Sequence, residues 1–292
     1  MHATLLDRPA RGETKDVPYT KTPIQLSGAL TQFPPAAKLF VLSPSTNGPS
    51  DNTSTFHGAW DDQFLYLGVE VGDTALYCTA EPRDSQTMWS NDGVELNFDT
   101  KNKKALSPGD PDLRQWILPI NWQSNPYDAY GSGATSDATS FTSNVEVAVT
   151  LQGTLNDANA DTGYTVILRI PWSDLALTPA DGLSFGFDAA VNDIDEVGGT
   201  FKFQDWATLN PFAQPDKWSS LALTGKGGGP PPRDSGASDA WVPGFDGTRR
   251  DAKSGGRPAP GGSCDCAVGT DGRDSAVGLL GLALLLAWRR WR

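Results

Sequence analysis

The sequence has little of what most metal, disulfide and nucleic-acid sites require. It contains two histidines, His2 and His57, so a site with several histidine ligands cannot be built and a Ser–His–Asp triad would depend on one of them. Three cysteines are too few for a disulfide framework in 292 residues. Positive charge is also scarce: the net charge is −12, and an acidic surface repels phosphate backbones. We therefore expect no nucleic-acid partner.

Long helical patterns are missing as well. The 31 glycines and 22 prolines are typical of β structure with many turns, and no long stretch carries a strong 3.6-residue apolar period. Short segments rich in β-branched or aromatic residues, bounded by Gly, Asp, Asn or Pro, predict strands instead. These are Phe64–Val71, Val94–Asp99, Gln115–Ile120, Val145–Leu151, Tyr164–Ile170, Leu183–Val191 and Trp218–Leu223. Regularly spaced strands without helices between them predict an all-β fold, an antiparallel β-sandwich.

Composition divides the chain into four parts. Residues 1–17 are polar and predict a disordered start, whereas residues 18–225 hold the predicted strands of the sandwich. Residues 226–275 are rich in Gly, Pro, Ser and Asp and predict a disordered linker, because they cannot bury enough apolar surface to offset their ordering entropy. Residues 276–292 predict a short hydrophobic helix. Residues 1–226 contain 14 basic and 28 acidic residues, a net of −14, so the acidity belongs to the predicted domain.

The end of the chain combines three features in a fixed order. Cys264 and Cys266 precede the apolar run Ala276–Trp288, and an arginine cluster follows: Arg289, Arg290 and Arg292. The run is shorter than the ~20 residues that a helix needs to span a bilayer. This order resembles the myxobacterial C-terminal sorting signal, which implies export, removal of the helix and anchoring at the cell surface or outer membrane through the modified Cys motif. Because residues 1–17 lack the apolar core of a secretory signal, we expect a start upstream of Met1, with a plain membrane anchor as the alternative.

The segment Met88–Asp99 has the pattern of a binding strand. Its Asn-Asp-Gly turn leads into a strand whose alternate residues face opposite sides of a sheet. The apolar set is Val94, Leu96 and Phe98, and the polar set is Glu95, Asn97 and Asp99. A row of polar side chains on one sheet face can bind the hydroxyl groups of a sugar.

Together with five other segments, this motif resembles the family 9 carbohydrate-binding modules and their DOMON-like relatives. The other segments are Ile24–Leu30, Gly58–Leu67, Gly163–Leu175, Gly186–Asp193 and Pro215–Leu221. The likeness spans about residues 22–225. It implies a β-sandwich of about ten strands that binds a polysaccharide or oligosaccharide without catalysis, in association with polysaccharide recognition or degradation.

The resemblance also implies two aromatic platforms that clamp a sugar ring. Trp89 matches the first platform. The second falls near Phe212, so that phenylalanine replaces a tryptophan there, or else Trp206 or Trp218 substitutes for it.

The polar part of the implied site is only partly retained. Glu95 matches the glutamate that bonds the sugar hydroxyls, and Asn97 follows it on the same strand face. The family's arginine falls near Ile117 and its amide falls at Ala190, so both of these polar partners are replaced by apolar residues. We therefore expect a changed sugar specificity.

Other aromatic residues offer a second candidate contact. Trp122 lies in a loop with Tyr127 and Tyr130 and with several amide side chains, a composition suited to sugar binding. Three other tryptophans lie within or at the ends of predicted strands and are assigned to the core: Trp60, Trp116 and Trp172.

An oxygen-rich turn is the candidate metal site. Asn192, Asp193, Asp195 and Glu196 offer hard oxygen ligands of the kind that calcium prefers, although the full spacing of a calcium loop is absent. A solvated acidic turn is the alternative. The family resemblance implies structural calcium as the one cofactor to consider.

Three other functions compete with carbohydrate binding. A glycoside hydrolase needs a pair of carboxylates, and many are available, but no acid/base motif stands out. Some DOMON relatives bind haem through Met and His, but the order and context of His57 and Met88 do not match them. An adhesion protein with a protein partner would share every feature except the ligand. We expect a binding module, not an enzyme.

Overall fold

The computed structural model describes residues 13–27, 29–42, 52–79, 82, 85, 87–104, 109–121, 127–130, 139–140, 142–196, 199–208 and 211–227, with the backbone alone at 127–130 and 139–140. These residues lie within one compact unit, Met1–Ala237. The predictions for Trp122, Cys264, Cys266 and the segment 228–292 fall outside the described residues.

Thirteen strands are seen in the described part of the chain. They are β1 (Thr14–Pro18), β2 (Lys38–Val41), β3 (Thr53–Trp60), β4 (Phe64–Gly72), β5 (Gly93–Asp99), β6 (Leu113–Pro119), β7 (Tyr127–Tyr130), β8 (Thr139–Ser140), β9 (Glu146–Leu151), β10 (Tyr164–Pro171), β11 (Ser184–Asp193), β12 (Lys202–Asp205) and β13 (Ser219–Thr224). The helices of the described residues are single 3₁₀ turns, at Leu30–Gln32, Pro35–Ala37, Met88–Ser90, Pro211–Ala213 and Pro215–Lys217. Nowhere in these ranges is a helix long and apolar enough to cross a membrane.

The strands form two sheets. One has eight strands in the order β1-β13-β11-β5-β6-β7-β8, with β12 paired to β11, and the other has five in the order β2-β3-β4-β10-β9. All pairs are antiparallel except β1 with β13. The predicted all-β sandwich is therefore confirmed.

The core lies between the two sheets and is dense in aromatic side chains. Phe40 from β2 stacks on Trp206, with ring centroids 4.1 Å apart and an interplanar angle of 8°. Trp60, Trp116 and Trp172 are all buried, as predicted from their positions in and beside strands. Aromatic residues bury large apolar areas, and this packing holds the two sheets face to face.

The first strand begins earlier than the sequence predicts. Residues 14–17, assigned above to a disordered start, belong to β1, which pairs in parallel with β13 from Thr14 to Pro18. Val17 is fully buried and joins the main core. A strand with one buried apolar residue shows no alternating pattern in the sequence. It forms here because it pairs with a strand that is distant along the chain.

A covering segment packs on the outer face of the five-stranded sheet. This segment, residues 23–27 and 29–37, is called the strap here. It forms a satellite apolar cluster with the sheet: Ile24, Phe33, Ala37, Ala59, Tyr66 and Ile167. Gly68 in β4 permits the close approach, because a Cβ there would lie 2.5 Å from Leu30 Cδ2 and 2.7 Å from Phe33 Cε2.

Candidate functional site

The outer face of the eight-stranded sheet is polar, and β5 shows this most clearly. Val94, Leu96 and Phe98 belong to the main core, as the alternation predicts. The alternate residues, Glu95, Asn97 and Asp99, face the outer side and are nevertheless all buried. Buried polar side chains normally require hydrogen-bond partners, so their surroundings decide what this face can do.

Glu95 lies at the centre of this face between two apolar neighbours. It is directly opposite Ile117 of β6 on one side and Ala190 of β11 on the other. Side chains opposite one another across a ladder share a face and lie about 5 Å apart at Cβ. These are the positions where the family resemblance implies an arginine and an amide. The register thus places both apolar replacements, Ile117 and Ala190, directly beside Glu95.

Replacement partners for Glu95 come from the next row of the sheet. Glu95 Oε1 accepts hydrogen bonds from Asn97 Nδ2 at 3.2 Å and from Gln115 Nε2 at 2.9 Å. Burial raises the pKa of Glu95, and these two amide donors oppose the shift. The carboxyl group is therefore fixed by amides in place of a guanidinium.

The row that supports Glu95 crosses three strands. Gln115 of β6, Asn97 of β5 and Asp188 of β11 are directly opposite one another in register. Asp188 Oδ1 accepts hydrogen bonds from the backbone N–H groups of Ala189 at 2.8 Å and Ala207 at 3.0 Å. Gln115 and Asp188 were not among the predicted site residues. The alternation of Phe185, Phe187 and Ala189 toward the core could have placed Asp188 outward.

Three aromatic side chains border the polar row and are called the aromatic group here: Trp89, Phe201 and Phe203. Trp89, in the 3₁₀ turn before β5, is 42% exposed, and it packs edge-to-face on Phe201 with ring centroids 5.0 Å apart. Phe201 in turn stacks on Phe203 of β12 at 5.0 Å. Phe203 is opposite Asn192 of β11, and Asn192 is opposite Gly93, two residues before Glu95. Since side chains two apart on a strand share a face, the aromatic group lies on the same face as Glu95.

Asn192 is a further buried polar residue on this face. It is 1% exposed, and neither its Nδ2 nor its Oδ1 has a hydrogen-bond partner among the described residues. Leaving a buried polar group unpaired costs about 1–3 kcal/mol. The sequence assigned Asn192 to an oxygen-rich turn and missed this position.

The three candidates for a second aromatic platform have different surroundings. Trp206 is 1% exposed and stacks in the core on Phe40, so it contributes to stability and does not face a ligand. Trp218 is also buried, and its Nε1 donates a hydrogen bond to the Pro211 carbonyl oxygen at 2.8 Å. Phe212, in the 3₁₀ turn Pro211–Ala213, is half-buried and remains the candidate.

The candidate metal ligands do not converge. Asp193 is fully buried, whereas Asp195 and Glu196 are exposed. Lys202 Nζ lies 2.6 Å from Asp195 and 3.9 Å from Asp193, so a lysine ammonium already neutralises this turn. Within the described ranges, no group of three or more His, Cys, Asp or Glu side chains is arranged to hold a metal ion. The residues present do not fit the structural calcium implied for this turn.

A cleft of about 810 Å³ lies on the opposite sheet, beside the strap. Its floor includes Glu70, Thr150, Gln152 and Thr165 on the outer face of the five-stranded sheet. Among the described lining residues, Phe33 is the only phenylalanine, tyrosine or tryptophan, and it is buried in the strap cluster. This cleft therefore lacks the exposed ring that Trp89 provides to the polar face.

Comparison with known proteins identifies a family for most of the chain. The family model described as "Carbohydrate family 9 binding domain-like" matches residues 35–226. Endo-1,4-beta-xylanase A of Thermoanaerobacterium saccharolyticum is 29% identical over 184 residues, which is 62% of this chain and 14% of the xylanase. The chain thus spans about one seventh of the length of this relative.

Solved structures share the fold. A family 9 carbohydrate-binding module from Caldicellulosiruptor kristjanssonii, in complex with cellotriose, has a TM-score of 0.55 and 19% identity, covering 80% of this chain and 100% of the module. A complex from the same organism with glucose has a TM-score of 0.53 and 19% identity, covering 73% and 97%. At this level of identity the likeness establishes the architecture of two packed sheets.

Proposed function

Because this chain belongs to the family 9 carbohydrate-binding domains, we propose that it binds a β-linked oligosaccharide on the outer face of the eight-stranded sheet. The observation that carries the proposal is the pairing of an exposed ring with a fixed carboxyl group: Trp89 borders the face that holds Glu95. A sugar ring offers an apolar C–H face for stacking and hydroxyl groups for hydrogen bonding, so it needs both elements in one site.

Each described residue has a distinct task in this site. Trp89, braced edge-on by Phe201, is the stacking platform. Glu95 is the hydroxyl acceptor, held by the Asn97 and Gln115 amides. Asn192 supplies an additional donor and acceptor beside the aromatic group. Hydrogen bonds to a charged acceptor are stronger than neutral ones, so Glu95 makes the main polar contribution.

The relatives guide the choice of sugar. The Caldicellulosiruptor module is described in complex with cellotriose and with glucose, and the Thermoanaerobacterium relative is a xylanase. We therefore propose glucose- or xylose-based oligosaccharides as ligands, with a specificity that differs from the family pattern because Ile117 and Ala190 flank Glu95. Cellotriose, glucose and xylotriose are the first probes.

We assign binding and not hydrolysis to this face. A hydrolase places two carboxyl groups on either side of the scissile bond, about 5–9.5 Å apart, with room for the sugar between them. Here Glu95 and Asp188 are both buried on one sheet face, so they do not line the two sides of an open cleft. The chain is proposed as the binding part of a polysaccharide-recognition or degradation system.

Substitution of the platform tests the proposal. Trp89→Ala removes the stacking ring and should weaken binding of cellotriose or xylotriose by roughly 5–150-fold, equivalent to about 1–3 kcal/mol. Isothermal titration calorimetry of the full chain measures the change, and thermal unfolding should give a nearly unchanged Tm because the ring is 42% exposed. Trp206→Phe is the matched control, since it alters a tryptophan that stacks in the core and should leave affinity unchanged.

Three outcomes count against this assignment. Normal binding by Trp89→Ala places the site elsewhere, with the segment Trp122–Tyr130 as the next candidate; its last four residues form β7 and not the loop that the sequence predicted. Unfolding of Trp89→Ala makes Trp89 a core residue. A wild-type chain that binds none of the three sugars favours the adhesion function with a protein partner.

We further propose display at the cell surface, supported by the Cys264–Cys266 motif, the apolar run and the terminal arginines. In this proposal the chain is exported and anchored through its C-terminal segment. Expression with and without residues 276–292, followed by protease accessibility on whole cells, tests it. Equal protection of both forms from the protease contradicts surface display.

A further inference from the structure

The row beneath Glu95 has a surplus of hydrogen-bond acceptors. Asn97 and Gln115 each donate an amide N–H hydrogen bond to Glu95 Oε1, which turns their amide oxygens away from Glu95. Asn97 Oδ1, Gln115 Oε1 and Asp188 Oδ2 are buried and have no hydrogen-bond partner among the described residues. The three side chains are opposite one another in register and share one face. An ionised Asp188 would leave three acceptors together with no side-chain donor among the described residues, and the one further donor to its carboxyl group there is the backbone N–H of Thr208.

One added proton resolves this arrangement. A neutral Asp188 carries an O–H group on Oδ2, while Oδ1 keeps its hydrogen bonds from the backbone N–H groups of Ala189 and Ala207. Its directly opposite neighbour on β5 is Asn97, whose oxygen is unpaired. A protonated carboxyl group is a donor as well as an acceptor, whereas a carboxylate only accepts.

We propose that Asp188 is a positioning residue of the sugar site: it is protonated at neutral pH and donates a hydrogen bond to Asn97 Oδ1. This bond fixes the orientation of the Asn97 amide, so that its N–H group points at Glu95. Glu95 is thereby held for the ligand through a chain of two hydrogen bonds. The inference rests on the proposed function, since it names the residue that sets the geometry and pH range of that site.

The charges around Asp188 are consistent with a neutral side chain. The described charged groups on its face are Glu95 and Asp99 of β5, Lys104 in the following loop and Asp205 of β12. Burial, and to a lesser extent the charge of Glu95, raises the pKa of Asp188 to about 8, against the opposing effect of its backbone N–H donors.

The Lys104 ammonium group is directed at backbone carbonyl oxygens of the neighbouring segment. Its Nζ is 2.8 Å from the Trp218 carbonyl oxygen and 3.0 Å from that of Ser219. Burial lowers the pKa of Lys104, and the charges of Asp99 and Asp188 oppose that shift. Loss of the Lys104 charge at alkaline pH would favour a neutral Asp188.

The pH dependence of binding separates this role from a structural one. With a pKa of about 8, about one tenth of the chains keep Asp188 protonated at pH 9, so cellotriose should bind about tenfold more weakly than at pH 7. Asp188→Asn retains an N–H donor at every pH and keeps an oxygen for the backbone donors. It should bind as the wild type does at pH 7 and show no decline up to pH 9.

A matched control and a direct measurement complete the experiment. Asp99→Asn changes a carboxyl group on the same face whose oxygens accept the backbone N–H groups of Lys101 and Lys104, and it should keep the wild-type decline. Lys104 is present in both variants, so a decline caused by Lys104 would persist in Asp188→Asn. In the ¹³C-labelled wild type, the Asp188 carboxyl signal should titrate near pH 8.

Different results overturn the role of Asp188 and the proposed function. An equal decline in Asp188→Asn, loss of binding by folded Asp188→Asn at pH 7, or an Asp188 signal that is ionised at pH 7 overturns the inference. A wild type that binds no sugar at either pH overturns the proposed function instead, and the carboxyl signal then decides the protonation state of Asp188 by itself. If Asp188→Asn does not fold, the wild-type pH profile and the carboxyl signal give the same decision.

Discussion

The outer faces of the two sheets are buried in opposite ways. On the five-stranded sheet the strap packs Ile24 and Phe33 against Tyr66 and Ile167, which makes a small apolar core. On the eight-stranded sheet the buried residues are Glu95, Asn97, Gln115 and Asp188, several of them with unpaired atoms. Apolar burial stabilises a fold, whereas unsatisfied polar burial destabilises it.

This difference supports the proposed placement of the sugar site on the eight-stranded sheet. The unpaired atoms of the polar face need further partners, which the proposed proton on Asp188 and the proposed sugar hydroxyl groups would supply. The strap face needs no such explanation, because its apolar contacts account for its burial. The comparison predicts that substitutions on the strap face affect stability and that substitutions on the polar face affect binding and pH dependence.

The largest expected effect is on the strap face. Phe33→Ala removes a ring that is 5% exposed and should lower the free energy of unfolding by about 3–5 kcal/mol. Sugar affinity of the folded fraction should not change, since Phe33 packs on the five-stranded sheet and Glu95 lies on the other sheet. Urea unfolding with calorimetry on the same samples measures both quantities. Trp89→Ala is the opposite case, and a similar stability loss in both variants would remove the distinction between the faces.

A second, smaller effect concerns stability and pH on the polar face. The pKa of Asp188 is about 8 in the folded protein and about 4 when unfolded, so folding takes up a proton between these values. The folded state then binds more protons, and stability falls as pH rises from about 4 to 8. Asp188→Asn should reduce this fall by an amount on the order of a few kcal/mol. Thermal unfolding from pH 5 to 9 measures it, and parallel curves for the two proteins would contradict it.

The smallest expected effect is at Glu95, where substitution should lower sugar affinity and leave stability equal or higher. Glu95→Gln keeps the shape of the side chain and removes a buried charge whose pKa is raised by burial. Affinity should fall about tenfold, close to 1.4 kcal/mol, with a changed ranking of cellotriose and xylotriose. Stability at pH 7 should stay equal or rise. A variant that loses stability and keeps its affinity would assign Glu95 to the fold alone.

The sequence predicted seven of the strands and missed the other six that the described residues form. β5 and β10 were placed within one residue at each end, because each has a strict apolar face. β1, β2, β3, β7, β8 and β12 were missed. β1 has one buried apolar residue and depends on parallel pairing with β13, and β12 has four residues paired to the end of β11. These two strands depend on partners that are distant in sequence or at the end of another strand.

The candidate site shows the same division. Trp89 and Glu95 were named from the family resemblance, and the structure places Trp89 in a turn beside the sheet face that holds Glu95. Trp206 was named as a platform, but the structure stacks it on Phe40 in the core. Asp188 and Gln115 were missed because each is far from Glu95 along the chain. Their relation depends on strand order and register, which local sequence does not encode.

By itself the sequence determined the alternation of β5, the acidic charge of the domain and the presence of an aromatic residue before β5. These are local properties, fixed by side-chain type and by the two-residue period of a strand. Only the tertiary structure decided that β5 lies between β6 and β11, and hence that Ile117 and Ala190 flank Glu95 while Gln115, Asn97 and Asp188 form the row beside it. Long-range pairing sets which side chains become neighbours, and burial then sets the direction in which their pKa values shift.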